Sequence, residues 1–350
     1  MSEVLTIKRG IELELDIESL AYGGMGLSRK ENFVIFVKYA IPGQKVLARI
    51  YKKRKGYAEA QILKVLLESP YAVDVRCKHY WICSKLQSLS YEEQIKEKSA
   101  QVEDAFRRLG GFLDFKLDKL IKADSIYHYR NKMEFTFSPN RWVLESEPDG
   151  VDKSFALGLH IPGRFDKILD IHNCHIQPEI GNRILKVARE VCLENPELRP
   201  YDPRSHIGFL RFLMLRYGVN TGDLMVNIVT SYHDINKISL LSDTLLEKFP
   251  EISSLVNNVN TRKADVAFGE YETLLFGESF IQEKLGDLIF EISANSFFQT
   301  NTIQGEILYK EVEKVIGFEG DEILYDLYCG TGTIGLYLSK YVKEVYGFEV

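Results

Sequence analysis

Cysteine is scarce, five in 350 residues. That is too few for a disulfide framework, and a reducing cytoplasm is the expected setting. Long apolar runs are missing, and no stretch approaches the roughly 18 apolar residues that a membrane span needs. The opening Met1-Ser2-Glu3-Val4-Leu5 has no basic segment leading into an apolar one, so no secretory leader is expected. Internal repeats and low-complexity tracts are absent as well. What remains is 45% hydrophobic and 27% charged, with a mean hydropathy of -0.14. That balance excludes wholesale disorder and fits a soluble globular chain of two to three domains.

A surplus of positive charge is also lacking: the net charge is -6, which argues against indiscriminate polyanion binding. The charge is unevenly spread. Residues 1–66 hold 12 Lys and Arg against 7 Asp and Glu, so a basic module precedes an acidic body, and the module is the part suited to a polyanion.

The first 66 residues read as β. Glu12 to Ile17 alternates acidic and apolar residues with period two, which buries one face. Phe33-Val34-Ile35-Phe36-Val37, Val46 to Ile50 and Ala58 to Leu63 are further short strands, with Tyr22-Gly23-Gly24-Met25-Gly26-Leu27 and Pro42-Gly43 as turns. Their spacing predicts a small closed barrel. Lys52-Lys53-Arg54-Lys55 lies between the last two strands, beside Tyr51 and Tyr57, a pattern able to hold an RNA backbone while a ring stacks on a base.

A helix is predicted over 91–109, with Tyr91, Ile95, Val102, Phe106 and Leu109 on one stripe and Gly110-Gly111 as its stop. The stretch 67–290 mixes strands (133–137, 224–229) with helices (184–193, 238–249). The last 50 residues change character. A helix over 306–316 precedes strand 322–328, a glycine-rich turn, a helix from 336 and a strand over 344–350. This is one βαβ unit, the beginning of a doubly wound sheet.

Gly330-Thr331-Gly332-Thr333-Ile334-Gly335 matches G-x-G-x-x-G between a strand and a helix, and Glu349 ends the next strand 19 residues after Gly330. A carboxylate there can accept both hydroxyls of an adenosine ribose, and glycines let the backbone approach the ligand. Asp326 stands four residues before the first glycine. An anion there disfavours a dinucleotide pyrophosphate and suits the cationic end of S-adenosylmethionine.

Asp326-Leu327-Tyr328-Cys329-Gly330-Thr331-Gly332, Ser296-Phe297-Phe298-Gln299-Thr300-Asn301, Tyr129-Arg130-Asn131-Lys132-Met133 and Gly163-Arg164-Phe165-Asp166, followed by Asp170-Ile171 and Cys174, resemble motifs of the RNA uracil-5-methyltransferases. These enzymes make 5-methyluridine in ribosomal and transfer RNA. Residues 5–66 resemble the TRAM module, an RNA-binding barrel, and the resemblance runs over nearly the whole chain.

The resemblance implies an α/β multidomain fold. Its parts are an OB-like TRAM β-barrel (1–66), a central mixed α/β RNA-binding domain (67–290) and the N-terminal part of a Rossmann-like methyltransferase domain (291–350), incomplete. Helix 91–109 is expected to pack on that last domain. The implied cofactor is S-adenosylmethionine, at Gln299, Asp326, Tyr328, Gly330, Gly332 and Glu349. RNA is implied as the partner of Lys52, Lys53, Arg54, Lys55, Arg130 and Lys132, ribosomal RNA ahead of transfer RNA, with the chain a monomer away from membranes.

The family's chemistry adds a cysteine thiolate to uracil C6, which makes C5 nucleophilic toward the sulfonium methyl, and a base then removes the C5 proton. The resemblance puts that cysteine and base in motifs past Val350. No catalytic residue is therefore expected in this chain, and the chain as given is expected to be inactive. Cys329 falls where the family carries cysteine for packing, and Cys192 reads as core. Cys77, Cys83 and Cys174 resemble an iron–sulfur ligand set in which Leu86 replaces a fourth cysteine, so cluster binding is not the expected state. Two other readings stay open: a non-catalytic RNA-binding protein and a nicotinamide-dependent oxidoreductase.

Overall fold

The computed structural model describes residues 7–31, 33–263 and 266–350. Residues 1–6, where the expected barrel stretch begins and a leader was sought, lie outside the described residues. The chain folds as two compact units, Met1–Asp124 and Ser125–Val350, where the sequence suggested three stretches.

In the first unit, six strands form one sheet in the order β1-β5-β6-β4-β3-β2. They are β1 (Glu12–Asp16), β2 (Ser19–Leu20), β3 (Gly26–Lys30), β4 (Phe33–Lys38), β5 (Lys45–Lys53) and β6 (Tyr57–Leu67). β1 and β2 are the two edges of that order, yet only two residues of chain separate them, so the edges meet and the sheet curls closed. Glu18 N–H, in the link between them, bonds the Leu27 carbonyl of β3 at 2.8 Å. The predicted alternation is realised in β1, where Leu13 and Leu15 are buried and the acids are exposed. They join Ile17, Ile35, Val37, Val46, Ile50 and the small residues Ala48, Ala58 and Ala60 in one interior cluster.

A short helix, α1 (Tyr80–Cys83), and the long α2 (Tyr91–Arg108) complete the unit. Ser90 caps α2 by accepting the Glu93 N–H, and Arg107 and Arg108 sit in its last turn, each of which favours the helix dipole. Within the first unit two of its side chains bond the barrel: Glu97 accepts the Leu20 N–H at 2.7 Å and Gln101 donates to the Leu20 carbonyl. Burial at this contact raises the Glu97 pKa. The C-terminal half of the predicted apolar stripe, Val102, Phe106 and Leu109, is exposed.

The second unit is built on an eight-stranded mixed sheet in the order β14-β13-β12-β11-β7-β9-β10-β8. These strands are β7 (Lys132–Ser138), β8 (Arg141–Trp142), β9 (Ala156–His160), β10 (Ile168–Asp170), β11 (Leu210–Tyr217), β12 (Leu224–Thr230), β13 (Ser254–Val259) and β14 (Tyr271–Gly277). β11, β12 and β13 are buried along their whole length, so their residues do not alternate between an apolar and an exposed polar face. Helices α3 (Glu179–Glu194) and α4 (Ile235–Lys248) match the predicted helical segments. The hairpin β15 (Phe280–Leu285) and β16 (Leu288–Ser293) follows, then α5 (Thr302–Ile316), β17 (Ile323–Leu327), α6 (Thr333–Leu338) and β18 (Glu344–Phe348).

The expected boundary near residue 290 is bridged. Ile281, Leu285, Phe290 and Ile292 of the hairpin share a core with Tyr309 of α5 and Tyr337 of α6. Asn131 Nδ2 reaches the Gln299 carbonyl and Thr302 Oγ1, each at 2.8 Å. Thr302 in turn donates to Glu283, which is fully buried and also accepts the N–H groups of Val219, Asn220 and Lys284.

Candidate functional site

β17 and β18 pair in parallel, with Asp326 opposite Gly347, and α6 crosses between them, so the predicted βαβ unit is present. The turn after β17 takes the left-handed conformation at Tyr328 (φ +57°), Gly330 (+56°) and Gly332 (+73°). Tyr328 accepts a cost of about 1 kcal/mol for this, and the residue is 82% exposed. The turn is pinned by Cys329 N–H to the Phe348 carbonyl at 3.0 Å and Gly332 N–H to the Cys329 carbonyl at 2.8 Å.

Two carboxylates bracket it. Asp326 Oδ2 accepts the Gly335 N–H at 2.9 Å, and Glu349 Oε2 accepts the Gly330 N–H at 2.7 Å. A side chain at Gly335 would put its Cβ 2.8 Å from Asp326 Oδ2 and 3.1 Å from Val345 Cγ1, whereas a Cβ at Gly330 would meet nothing within 4 Å. Gly335 thus lets α6 lie close on the two strands, and Gly330 leaves the mouth of the turn open.

Thr331 donates to the Phe297 carbonyl at 3.1 Å, which joins the turn to the 296–301 segment. Gln299 is half-buried in that segment, packed on Gly305 at the start of α5. The structure therefore brings Gln299, Asp326, Tyr328, Gly330, Gly332 and Glu349 into one stretch of the second unit. One oxygen of Asp326 is committed to α6. An open, glycine-formed mouth with the exposed Glu349 carboxylate at its rim fits an adenosine ligand such as S-adenosylmethionine.

The predicted RNA residues divide. Lys53, Arg54 and Lys55 are exposed at the β5–β6 hairpin. Lys52 is ion-paired with Glu59, the residue opposite it in the ladder, and Tyr51 donates to the same carboxylate at 2.7 Å. These two donors hold the Glu59 carboxyl below its usual range. The Tyr51 ring carries the Lys38 ammonium at 4.6 Å, and the Tyr57 ring packs edge-on against Phe36. Three cations, not four, are therefore available there. Replacing Lys53, Arg54 and Lys55 with Ala is expected to flatten the log-affinity against log-salt slope for single-stranded RNA by about 2 units, at roughly 0.7 per phosphate. Lys52→Ala is expected to move it by less than half a unit; equal effects from the two variants would contradict this assignment.

Arg130 Nε is bonded to the Lys132 carbonyl, and Lys132 is mostly buried, 2.8 Å from Glu134. The structure thus gives Lys132 an intramolecular partner where the sequence suggested a phosphate.

Cys77 and Cys83 lie in the first unit and Cys174 in the second, and none of the five is in a disulfide. Among the described residues no three His, Cys, Asp or Glu side chains could hold a metal ion. Leu86, in the fourth ligand position, packs against the small core of Leu20, Ile41 and Leu89. Three thiols with a leucine in the fourth position fall short of the four ligands that a structural cluster normally has.

The TRAM domain model matches residues 7–63. An uncharacterized RNA methyltransferase of Chlorobaculum tepidum is 44% identical over 88% of this chain and 65% of its own length. Another, of Porphyromonas gingivalis, is 37% identical over 96% and 74%. The chain belongs to the TRAM-bearing RNA methyltransferases. It spans about two thirds to three quarters of the length of these relatives. A solved structure, the Pyrococcus abyssi tRNA (uracil-54, C5)-methyltransferase in complex with S-adenosyl-L-homocysteine, superposes with a TM-score of 0.75 and 26% identity, over 96% of this chain and 73% of that one. No described helix of this methyltransferase chain is long and apolar enough to cross a membrane.

Proposed function

We propose that this chain supplies the RNA-binding parts and the cofactor turn of an S-adenosylmethionine-dependent enzyme that methylates uridine C5 in RNA. The observation that carries the reading is the glycine turn braced by Asp326 at the helix and Glu349 at the mouth. Bound S-adenosylmethionine supplies the methyl group. Glu349 keeps one oxygen for a ribose hydroxyl while the other holds Gly330. Asp326 fixes α6 with one oxygen. The hairpin cations Lys53, Arg54 and Lys55 hold RNA phosphates by charge, and Arg130 adds a further contact in the second unit. Asn131 orients the Gln299 segment through the main chain.

Neither Cys329 nor Cys192 is read as the nucleophile. Cys329 packs on Gly347, where an added Cβ would meet its Sγ at 3.0 Å. Burial pushes the Cys192 thiol up to about 12, which keeps it protonated and inert. The chain is accordingly expected to bind S-adenosylhomocysteine and RNA yet transfer no label from methyl-labelled S-adenosylmethionine to uridine in single-turnover incubations with unmodified ribosomal and transfer RNA. Label in 5-methyluridine would overturn the thiol assignment and make Cys329→Ala the next variant. Failure to bind either RNA would overturn the functional reading itself. If one RNA is preferred, ribosomal RNA is the expected one.

A further inference from the structure

The central sheet carries a second opening far from the cofactor turn. It is an open cleft of about 560 Å³, lined among others by Arg199, Phe209, Tyr232, Lys237 and Lys263. Tyr232 is 42% exposed at its rim. The buried Phe209 ring supports it at 5.0 Å between centroids, tilted by 50°. Lys237 donates to the Tyr232 hydroxyl at 2.7 Å, and its ammonium lies 5.1 Å from the ring centre. Asp234, 3.7 Å from Lys237, offsets part of that charge, and Glu197 is the acid on the lining. Among the described residues neither Arg199 nor Lys263 is in an ion pair.

The place of this cleft in the sheet matters. Leu210, at one end of β11, pairs with Thr230 of β12 next to the cleft. Tyr217, at the other end, donates to the Asn131 carbonyl, and Asn131 holds the Gln299 segment. Seven strand steps separate the two ends, about 23 Å. The cleft therefore cannot serve the methyl-transfer end directly. A half-exposed tyrosine backed by Phe209, in a cleft that also holds Arg199, Lys237 and Lys263, offers a π-face to a base and charge to its flanking phosphates, without the donor and acceptor pattern that would select one base.

We infer that this cleft, with Tyr232 as a stacking platform and Arg199, Lys237 and Lys263 as phosphate contacts, grips a single-stranded segment of the RNA substrate at the end of β11 opposite the Asn131–Gln299 tie. This rests on the proposed RNA reading. It adds a second anchor that sets which stretch of RNA reaches the turn.

The test uses the full 350-residue chain and fluorescein-labelled single-stranded RNA, with anisotropy read over a salt series. Tyr232→Ala is expected to weaken binding by about 5- to 150-fold, the range for one stacked base, with the salt slope unchanged. Tyr232→Phe keeps the ring and is expected to bind within about twofold of wild type, which separates stacking from the lost hydroxyl. Arg199→Ala with Lys263→Ala is expected to lower the slope by about 1.4 units. Wild-type RNA binding with all three variants unchanged would overturn the cleft and leave the RNA reading standing. A parallel loss in Tyr232→Ala and Tyr232→Phe would also overturn the stacking role. No RNA binding by wild type would overturn both.

Discussion

Gly335→Ala should cost about 1–3 kcal/mol of stability in the second unit, the range for overpacking a tight contact, and should weaken S-adenosylhomocysteine binding at least tenfold. The added methyl would lie 2.8 Å from Asp326 Oδ2 and 3.1 Å from Val345 Cγ1. The carboxylate cannot retreat without surrendering the Gly335 N–H, and Val345 is on a strand. Helix α6 must therefore lift, and Gly332, its N-cap, moves with it. Asp326→Ala alone should cost about 1–3 kcal/mol through the unsatisfied helix N–H and the lost charged hydrogen bond. The double variant should be less damaged than the sum, because removing the carboxylate removes the worst clash. Thermal unfolding and calorimetric titration check both points. Simple additivity would show that the two residues do not act through one contact.

Glu349→Ala should leave stability within about 0.5 kcal/mol, as expected for an exposed residue, while S-adenosylhomocysteine affinity falls about 10- to 100-fold, the worth of a charge-assisted hydrogen bond. Two things are lost at once: the acceptor for Gly330 N–H and the carboxylate for the ribose. Glu349→Gln keeps one neutral acceptor and should recover much of the loss. Because Glu349 and Asp326 brace the same turn from opposite ends, the contrast between them separates ligand contact from turn support. Asp326 variants should move stability, and Glu349 variants should move affinity.

Much of this arrangement was legible in the residues. The βαβ unit followed from a strand, a glycine-rich turn and a helix in order, and the barrel followed from short strands with period-two burial. The pairing of Lys132 with Glu134 was also legible in principle, since residues two apart on a strand share a face. Lys52 opposite Glu59 needed only the hairpin register. The tie from Asn131 to Gln299 and Thr302 was not legible, because 168 and 171 residues separate the partners and no local pattern reports such a contact. β13 escaped for another reason: Asn257 and Asn258 interrupt its apolar run, yet both are buried. Asn257 bonds the Ile228 carbonyl and Asn258 bonds Asn227 and Glu272. The Tyr232 cleft is assembled from segments spread over some sixty residues (Arg199 to Lys263), which hides it from any single window.

The central claim is that the turn between Asp326 and Gly335, with Glu349 at its mouth, is an S-adenosylmethionine site rather than a dinucleotide site. Saturation-transfer NMR on the full chain, with S-adenosylhomocysteine and NADH offered separately and then together, tests it most directly, and the method registers weak ligands. The account predicts transfer to the adenine and ribose protons of S-adenosylhomocysteine, its loss in Glu349→Ala, and no displacement by NADH. Transfer to NADH with none to S-adenosylhomocysteine, or an S-adenosylhomocysteine signal that Glu349→Ala leaves intact, would contradict it.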